Sequence, residues 1–455
     1  MLILRWNISK QLSKLNITAT FQTNLYLCLS SSPCYTCNVQ NMTKIKAFKA
    51  IRPVRSKAHL VASRAVATYK DSILEAKLAS NPYSFIHIIH PEYFECDETR
   101  TTPNSVERFL KVNDKYAEFY ERGILKQDDK EALYIYRQST PNHSYLGVIG
   151  GANVQEYKDN KIKKHEATLA SREEMFTNYL DIVGYNAEPV LLSHKKSEAL
   201  DEVLSKIVAK RPEYEFTTTD ETTHELWIAN EQETLEIQQA YENIETCYIA
   251  DGHHRSASSV RLHDKIQERG EYDSNKNYNS FLSFFIDEER LNIMPFNRLC
   301  KSLNGNSIEE LISKIGNHFE VKELEKPMQP EQLHDIHMYV NASWYRLRLK
   351  VEKHSKLDAV SSIDAEILTR YILSPVLGIH DLTTDENISF QSGEDGITAI
   401  EHSVNKGVNE VGFLLYPVTM EQLKAVADEN AIMPPKSTWI EPKMRSGLTI
   451  YKIDE

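Results

Sequence analysis

Asp251-Gly252-His253-His254-Arg255 is the densest group of chemistry-bearing residues in the chain. Cys247-Tyr248-Ile249-Ala250 before it favours a strand, and the Ala, Ser, Val, Arg and Leu from Ser256 onward suit a helix. The spacing predicts a strand that ends at Asp251, turns on Gly252 and opens a helix with both imidazoles and the guanidinium in its first turn. Such a helix start presents free backbone N–H groups and a partial positive charge, which suit phosphate. Asp251 could hold a metal ion, Arg255 could grip phosphate through two parallel hydrogen bonds, and His253 and His254 could donate protons. The bland alternative is an Asp-Gly turn with surface imidazoles. Against it, a carboxylate, two His and an Arg in five positions make a poor core.

Two other clusters sit at expected element boundaries. Lys163-Lys164-His165-Glu166 precedes a helix, and Pro435-Lys436-Ser437-Thr438 follows one. Taken alone, the first reads as a solvated helix start with Glu at its positive end, and the second as an exposed loop after a Pro pair. Taken with Asp251 to Arg255, they supply a carboxylate base, a second carboxylate, and Arg, Lys and hydroxyl groups. That set fits phosphoryl transfer, where catalysis is mostly positioning and charge neutralisation. Gly147, Gly150 and Gly151 are not followed by Lys-Ser or Lys-Thr, so they form no P-loop.

Elements must hold these clusters in place. Helices are expected over 105–121, 171–179, 197–210, 231–244, 307–318, 364–373 and 420–430. Strands are expected over 82–90, 132–138, 145–149, 188–193, 247–251, 281–287, 338–350 and 412–416. Residues 293–298 read as a turn, and an acidic, Thr-rich stretch lies between the helices at 197–210 and 231–244. Strands and helices alternate irregularly with no internal repeat, which predicts an α/β or α+β architecture with mixed sheets. Three domains are expected: 42–160, 161–300 with the His-Glu and Asp-Gly-His-His-Arg clusters, and 301–455 with the Pro-Lys-Ser-Thr loop.

Residues 1–41 differ from the rest. They carry Arg5, Lys10 and Lys14, no acidic residue, and a Ser, Thr and Asn-rich remainder. They read as an upstream extension or disordered leader ahead of a start at Met42. Cys34 and Cys37 form a lone CxxC without a second ligand pair, and six scattered Cys in 455 residues give no disulfide framework. A formal net charge of −12 disfavours binding to nucleic acid or anionic membranes. No apolar run is long enough to span a bilayer, so a cytoplasmic protein is expected.

Read together, Tyr248-Ile249-Ala250-Asp251-Gly252-His253-His254-Arg255 and the other clusters resemble the free L-serine kinases of the ParB/sulfiredoxin superfamily, in particular its long branch. The likeness runs from Ile45 to Ile450. It takes in Ile51-Arg52-Pro53, Lys164-His165-Glu166-Ala167-Thr168, Glu188-Pro189, Leu377-Gly378-Ile379, Met433 to Thr438 and Pro442-Lys443. The resemblance implies a ParB/sulfiredoxin-like catalytic core and a Mg2+-dependent kinase making O-phospho-L-serine, a feed for cysteine biosynthesis. Glu166 would be the general base, Asp251 would assist catalysis and place the magnesium, and His254 would join the catalytic set. His165, Gly252, His253, Arg255, Lys436, Ser437 and Thr438 would bind substrate and phosphate.

Long members imply inorganic pyrophosphate as donor, and compact members ADP or ATP. There are departures. Pro295-Phe296-Asn297-Arg298 stands where long members have Pro-Thr-His-Arg, and Ser437 replaces a Thr but keeps the hydroxyl. His253 stands where sulfiredoxins have their reactive Cys, which argues against sulfinic acid repair. Two other readings remain: a regulator that binds phosphometabolites or nucleotides without turnover, and a kinase of another small hydroxyl compound. Oligomeric state is not legible.

Overall fold

The computed structural model describes residues 43–94, 100–354, 357–393 and 396–455. The expected leader at 1–41, with its CxxC, lies outside the described residues, as does Cys96. The architecture is mixed α/β. Its centre is a nine-stranded sheet built from β1 (Ile45–Lys46), β2 (Tyr134–Ser139), β3 (Ser144–Asn153), β4 (Ile162–Lys163), β5 (Val190–His194), β6 (Tyr214–Thr217), β7 (Thr223–Ile228), β8 (Cys247–Asp251) and β9 (Ser280–Asp287). The order is β4-β8-β5-β9-β3-β2-β7-β6, with β1 also on β3. Residues 42–160 and 161–300, expected as separate domains, thus contribute strands to the same sheet.

β9 shows why this sheet is central. All eight of its residues are buried. Phe281 and Phe285 face one core cluster, while Leu282, Phe284 and Ile286 face the other. A strand covered on both faces reads as a nearly continuous apolar run rather than an alternation, here broken only by the buried Ser283. Helices α1 (Glu198–Val208) and α2 (Glu231–Tyr241) bring Leu200, Leu204, Ile207, Ile237 and Tyr241 onto the first face. Burying each such side chain contributes roughly 1.5–3 kcal/mol.

The second face shares its core with a seven-stranded sheet. That sheet contains β10 (Asn292–Cys300), β11 (Phe319–Leu324), β12 (Asp335–Val340), β13 (Ser343–Leu349), β14 (Ile388–Ser392), β15 (Val411–Leu415) and β16 (Thr438–Glu441). Here the expected turn at 293–298 is instead part of strand β10. Pro295 is accommodated because β16 pairs with Asn292 to Pro295, whereas β14 takes over from Phe296 to Cys300. The missing Pro N–H thus falls where one ladder hands over to another.

The expected strand at 82–90 is also corrected. It contains the short helix Ile86–Ile89, with Phe85, Ile86 and Ile88 buried. A brief apolar run does not distinguish helix from strand. The Thr-rich stretch forms the β6–β7 hairpin. Among the described residues, no helix is long and apolar enough to cross a membrane.

Candidate active site

β4 and β8 run parallel, with Cys247 opposite Ile162 and Tyr248 opposite Lys163. Their carboxyl ends therefore meet at one edge. Two and three residues past β4 stand His165 and Glu166; at the end of β8 stands Asp251. Gly252 then turns with φ 100° and ψ 29° into helix α3 (His253–Glu268). That positive φ needs Gly, and a Cβ there would also meet the Arg255 guanidinium at 3.1–3.2 Å. No side chain caps this helix end, and its first intrahelical bond runs from Ser256 N to Gly252 O at 3.0 Å. The preceding N–H groups are left for an anion.

Asp251 lies between two cations. Lys443 Nζ donates to Oδ1 at 2.8 Å, and Arg255 Nη2 donates to Oδ2 at 2.6 Å. Burial pushes this carboxyl up, but Lys443 and Arg255 together hold it below the usual carboxylate range. Arg255 also pairs with Glu188 at 3.0 Å and donates to the Pro189 carbonyl, while Ser446 Oγ donates to Glu188 at 3.0 Å.

His253 is buried, and its Nδ1 lies 3.3 Å from Glu166 Oε2. Burial would raise the Glu166 carboxyl; the bond from His253, with the charges of His253 and His165, brings it down to about 2. The Glu166 side chain nonetheless remains 45% exposed, open to a reactant. His165 is fully buried and edge-on to the His253 ring, with centroids 4.6 Å apart, and burial depresses it to about 3. His254 is lowered by burial and then by Arg172, and its buried Nδ1 has no hydrogen-bond partner.

The late loop reaches the same edge. Met433 N donates to the His165 carbonyl at 2.8 Å. Lys436, at φ 57°, rests its ammonium over the Phe296 ring at 5.2 Å. Ser437 turns its hydroxyl into its own loop, donating to Pro434 O at 2.8 Å, and Thr438 begins β16. The structure therefore brings His165 and Glu166 against His253, next along the chain to the Asp251–Arg255 pair. It ties the Pro-Lys-Ser-Thr loop alongside by its backbone.

Three further polar partners, Lys443, Glu188 and Ser446, reach the site from loops. The resemblance takes in Glu188-Pro189 and Pro442-Lys443 without giving them a role, and Ser446 was not singled out from sequence, since no spacing rule links it to the site. Beside Arg255 opens a cavity of about 390 Å³. Phe109, Met175, Tyr179 and Tyr185 line its wall, and Glu188, Arg255 and Ser446 line its polar end.

A mixed-sheet α/β protein with a carboxylate pair and an uncapped helix start at one sheet edge is the class defined by this fold and site. Residues 45–366 match the family described as Protein of unknown function (DUF1015), and the chain belongs to that family. Among curated proteins, none matches the sequence. Among solved structures, the chain is similar to SbnI with C-terminal truncation from Staphylococcus aureus: 12% identity, TM-score 0.36, 67% of this chain and 87% of that one. It is similar to free serine kinase in complex with AMP at 13% identity and TM-score 0.32, over 67% and 91% of the two chains. A conserved hypothetical protein from Pyrococcus furiosus shares 14% identity at TM-score 0.30, over 66% and 95%.

Proposed function

We propose that the protein transfers a phosphoryl group to the hydroxyl of free L-serine, giving O-phospho-L-serine, with inorganic pyrophosphate as donor. The observation that carries this reading is the juxtaposition of the open Glu166 carboxylate with the uncapped start of α3, across the His253–Glu166 distance of 3.3 Å. An alcohol needs a base within reach, and the moving phosphoryl needs cations and donors around it.

In this reaction Glu166 takes the hydroxyl proton as the serine oxygen attacks phosphorus. The bond to the bridging oxygen breaks, and inorganic phosphate leaves. The α3 N–H groups, Arg255 and Lys443 neutralise the phosphoryl oxygens, and Asp251 holds both cations in place. His254 and Lys436 add positive charge or donors for the leaving phosphate, with the Ser437 and Thr438 loop alongside. A carboxyl at about 2 is a weak base, but an incoming polyanion raises it by repulsion. At the polar end of the cavity, Glu188 suits the acceptor ammonium.

Magnesium, implied by the family resemblance, would screen the phosphates when bound. It fits Asp251 poorly, because both carboxylate oxygens already accept from cations, so no step is routed through it there. Phosphoserine made in the cytoplasm would serve cysteine synthesis.

The aromatic wall of the cavity favours a second reading, in which ADP or ATP is the donor and its base lies against Tyr179 and Phe109. The test is phosphorus NMR of the protein with magnesium, L-serine and, in separate tubes, pyrophosphate, ADP or ATP. A phosphoserine signal identifies reaction and donor together. Silence in all three tubes, with donors bound, overturns the kinase reading in favour of a phosphometabolite-binding regulator or another acceptor.

A further inference from the structure

Neither ring nitrogen of His165 has a hydrogen-bond partner, although the residue is 0% exposed. Buried polar side chains are normally paired, and leaving two such atoms unpaired on one ring is costly. One ligand atom each from His165, Glu166 and His253 lies within 4.8 Å of the others. The His253 Nδ1 to Glu166 Oε2 distance of 3.3 Å is long for a charge-assisted hydrogen bond, which settles at about 2.7–2.9 Å. It is also compatible with two neighbouring ligands on one ion, since bonds of about 2.1 Å at tetrahedral or octahedral angles put ligand atoms about 3.0–3.4 Å apart.

We propose that His165, Glu166 and His253 form a site for a first-row divalent transition-metal ion. Two imidazoles and one carboxylate favour manganese, iron, cobalt or zinc over magnesium and calcium, which prefer an all-oxygen shell. The ion takes the place between His253 and Glu166 and gives one of the two unpartnered His165 ring nitrogens a partner. Loading it leaves the remaining imidazole proton of His253 on Nε2. That proton then faces the His165 N–H that donates to Nε2 at 3.5 Å, so the His253 ring must turn slightly on loading to part the two donors. Three protein ligands leave coordination positions open toward the start of α3, where a phosphate or hydroxyl oxygen could complete the shell. The site shares Glu166 with the proposed kinase centre: the carboxylate would ligate through Oε2, the oxygen facing His253, and keep Oε1 for the hydroxyl proton, while metal binding is read without any substrate. A failed phosphoserine assay therefore leaves this assignment standing, and a failed metal titration leaves the kinase reading standing.

The test titrates the full chain, stripped with chelator, with Co2+ alone, followed by visible absorption and by calorimetry with Zn2+. One equivalent should bind, with the absorption bands of nitrogen-ligated cobalt, and a large excess of Mg2+ should not displace it. Glu166→Gln, a change at a half-exposed position, should weaken binding by at least about 10-fold, as should His253→Asn. His165→Asn is included with its melting curve, because that residue is buried. Absence of a cobalt band, equal affinity in wild type and Glu166→Gln, or ready displacement by Mg2+ would each overturn the assignment.

Discussion

Lys443 donates to Asp251 across 192 residues of chain, with Nζ 2.8 Å from Oδ1. The ammonium also stands over the Trp439 ring at 4.8 Å, so the aromatic face and the carboxylate hold it together. Its partner on the other oxygen, Arg255, is anchored by Glu188 and Pro189. Asp251 is thus an organiser of positive charge at the helix start.

Lys443→Met keeps the stem of the side chain and removes the charge. Turnover of the proposed reaction should fall by about 100-fold, in the range seen when one preorganised donor is lost from an active site. The melting temperature should move little, because the side chain is partly exposed. Steady-state kinetics beside a thermal melt separates the two effects; a large drop in melting temperature at unchanged turnover would make Lys443 a structural residue.

Glu166→Gln should lower kcat by roughly 10²–10⁴-fold while the phosphate affinity of the metal-free protein stays within a small factor, since the α3 start and Arg255 are untouched. Calorimetric titration with pyrophosphate gives the affinity. Near-normal kcat would remove Glu166 from the role of base.

Gly252→Ala should cost about 1–2 kcal/mol in stability, because φ 100° is unfavourable for a residue with a Cβ. The added methyl would also press on the Arg255 guanidinium at 3.1–3.2 Å, so phosphate affinity should fall too. Urea unfolding and a phosphate titration measure both, and an unchanged unfolding midpoint would contradict the strain argument.

Glu156, buried beneath Lys44, carries a pH prediction. Burial raises its carboxyl to about 7, against the partial relief of the Lys44 N–H bond at 2.9 Å. The folded state thus holds a proton that the unfolded chain releases near pH 4.5. The stability this contributes is full below about pH 4.5 and is lost as pH rises through about 7. Glu156→Gln should therefore gain on the wild type with rising pH, by on the order of 2 kcal/mol at pH 8. Urea unfolding of both proteins from pH 4.5 to 8 checks this; parallel curves would refute it.

What could be read from sequence was local. The strand, turn and helix around Asp251 to Arg255 follow from β-favouring residues, a Gly and a helical run within one short stretch. The burial of β9 follows from its apolar run over 281–286, interrupted only by Ser283. The chemistry of His165 and Glu166 was equally legible, because residue type alone says what a side chain can donate, accept or ligate.

The arrangement of these groups was decided by tertiary structure. Parallel pairing of β4 with β8 brings His253 against Glu166. The closing loops deliver Lys443 to Asp251 and Ser446 to Glu188, contacts between residues distant in sequence. No local pattern encodes such pairs, since they depend on which strand ends share a sheet edge. The same reason explains the elements misread from sequence. Residues 293–298 become a strand only because β14 and β16 are there to pair with them, and 82–90 holds a short helix because its apolar side chains meet a core rather than a neighbouring strand.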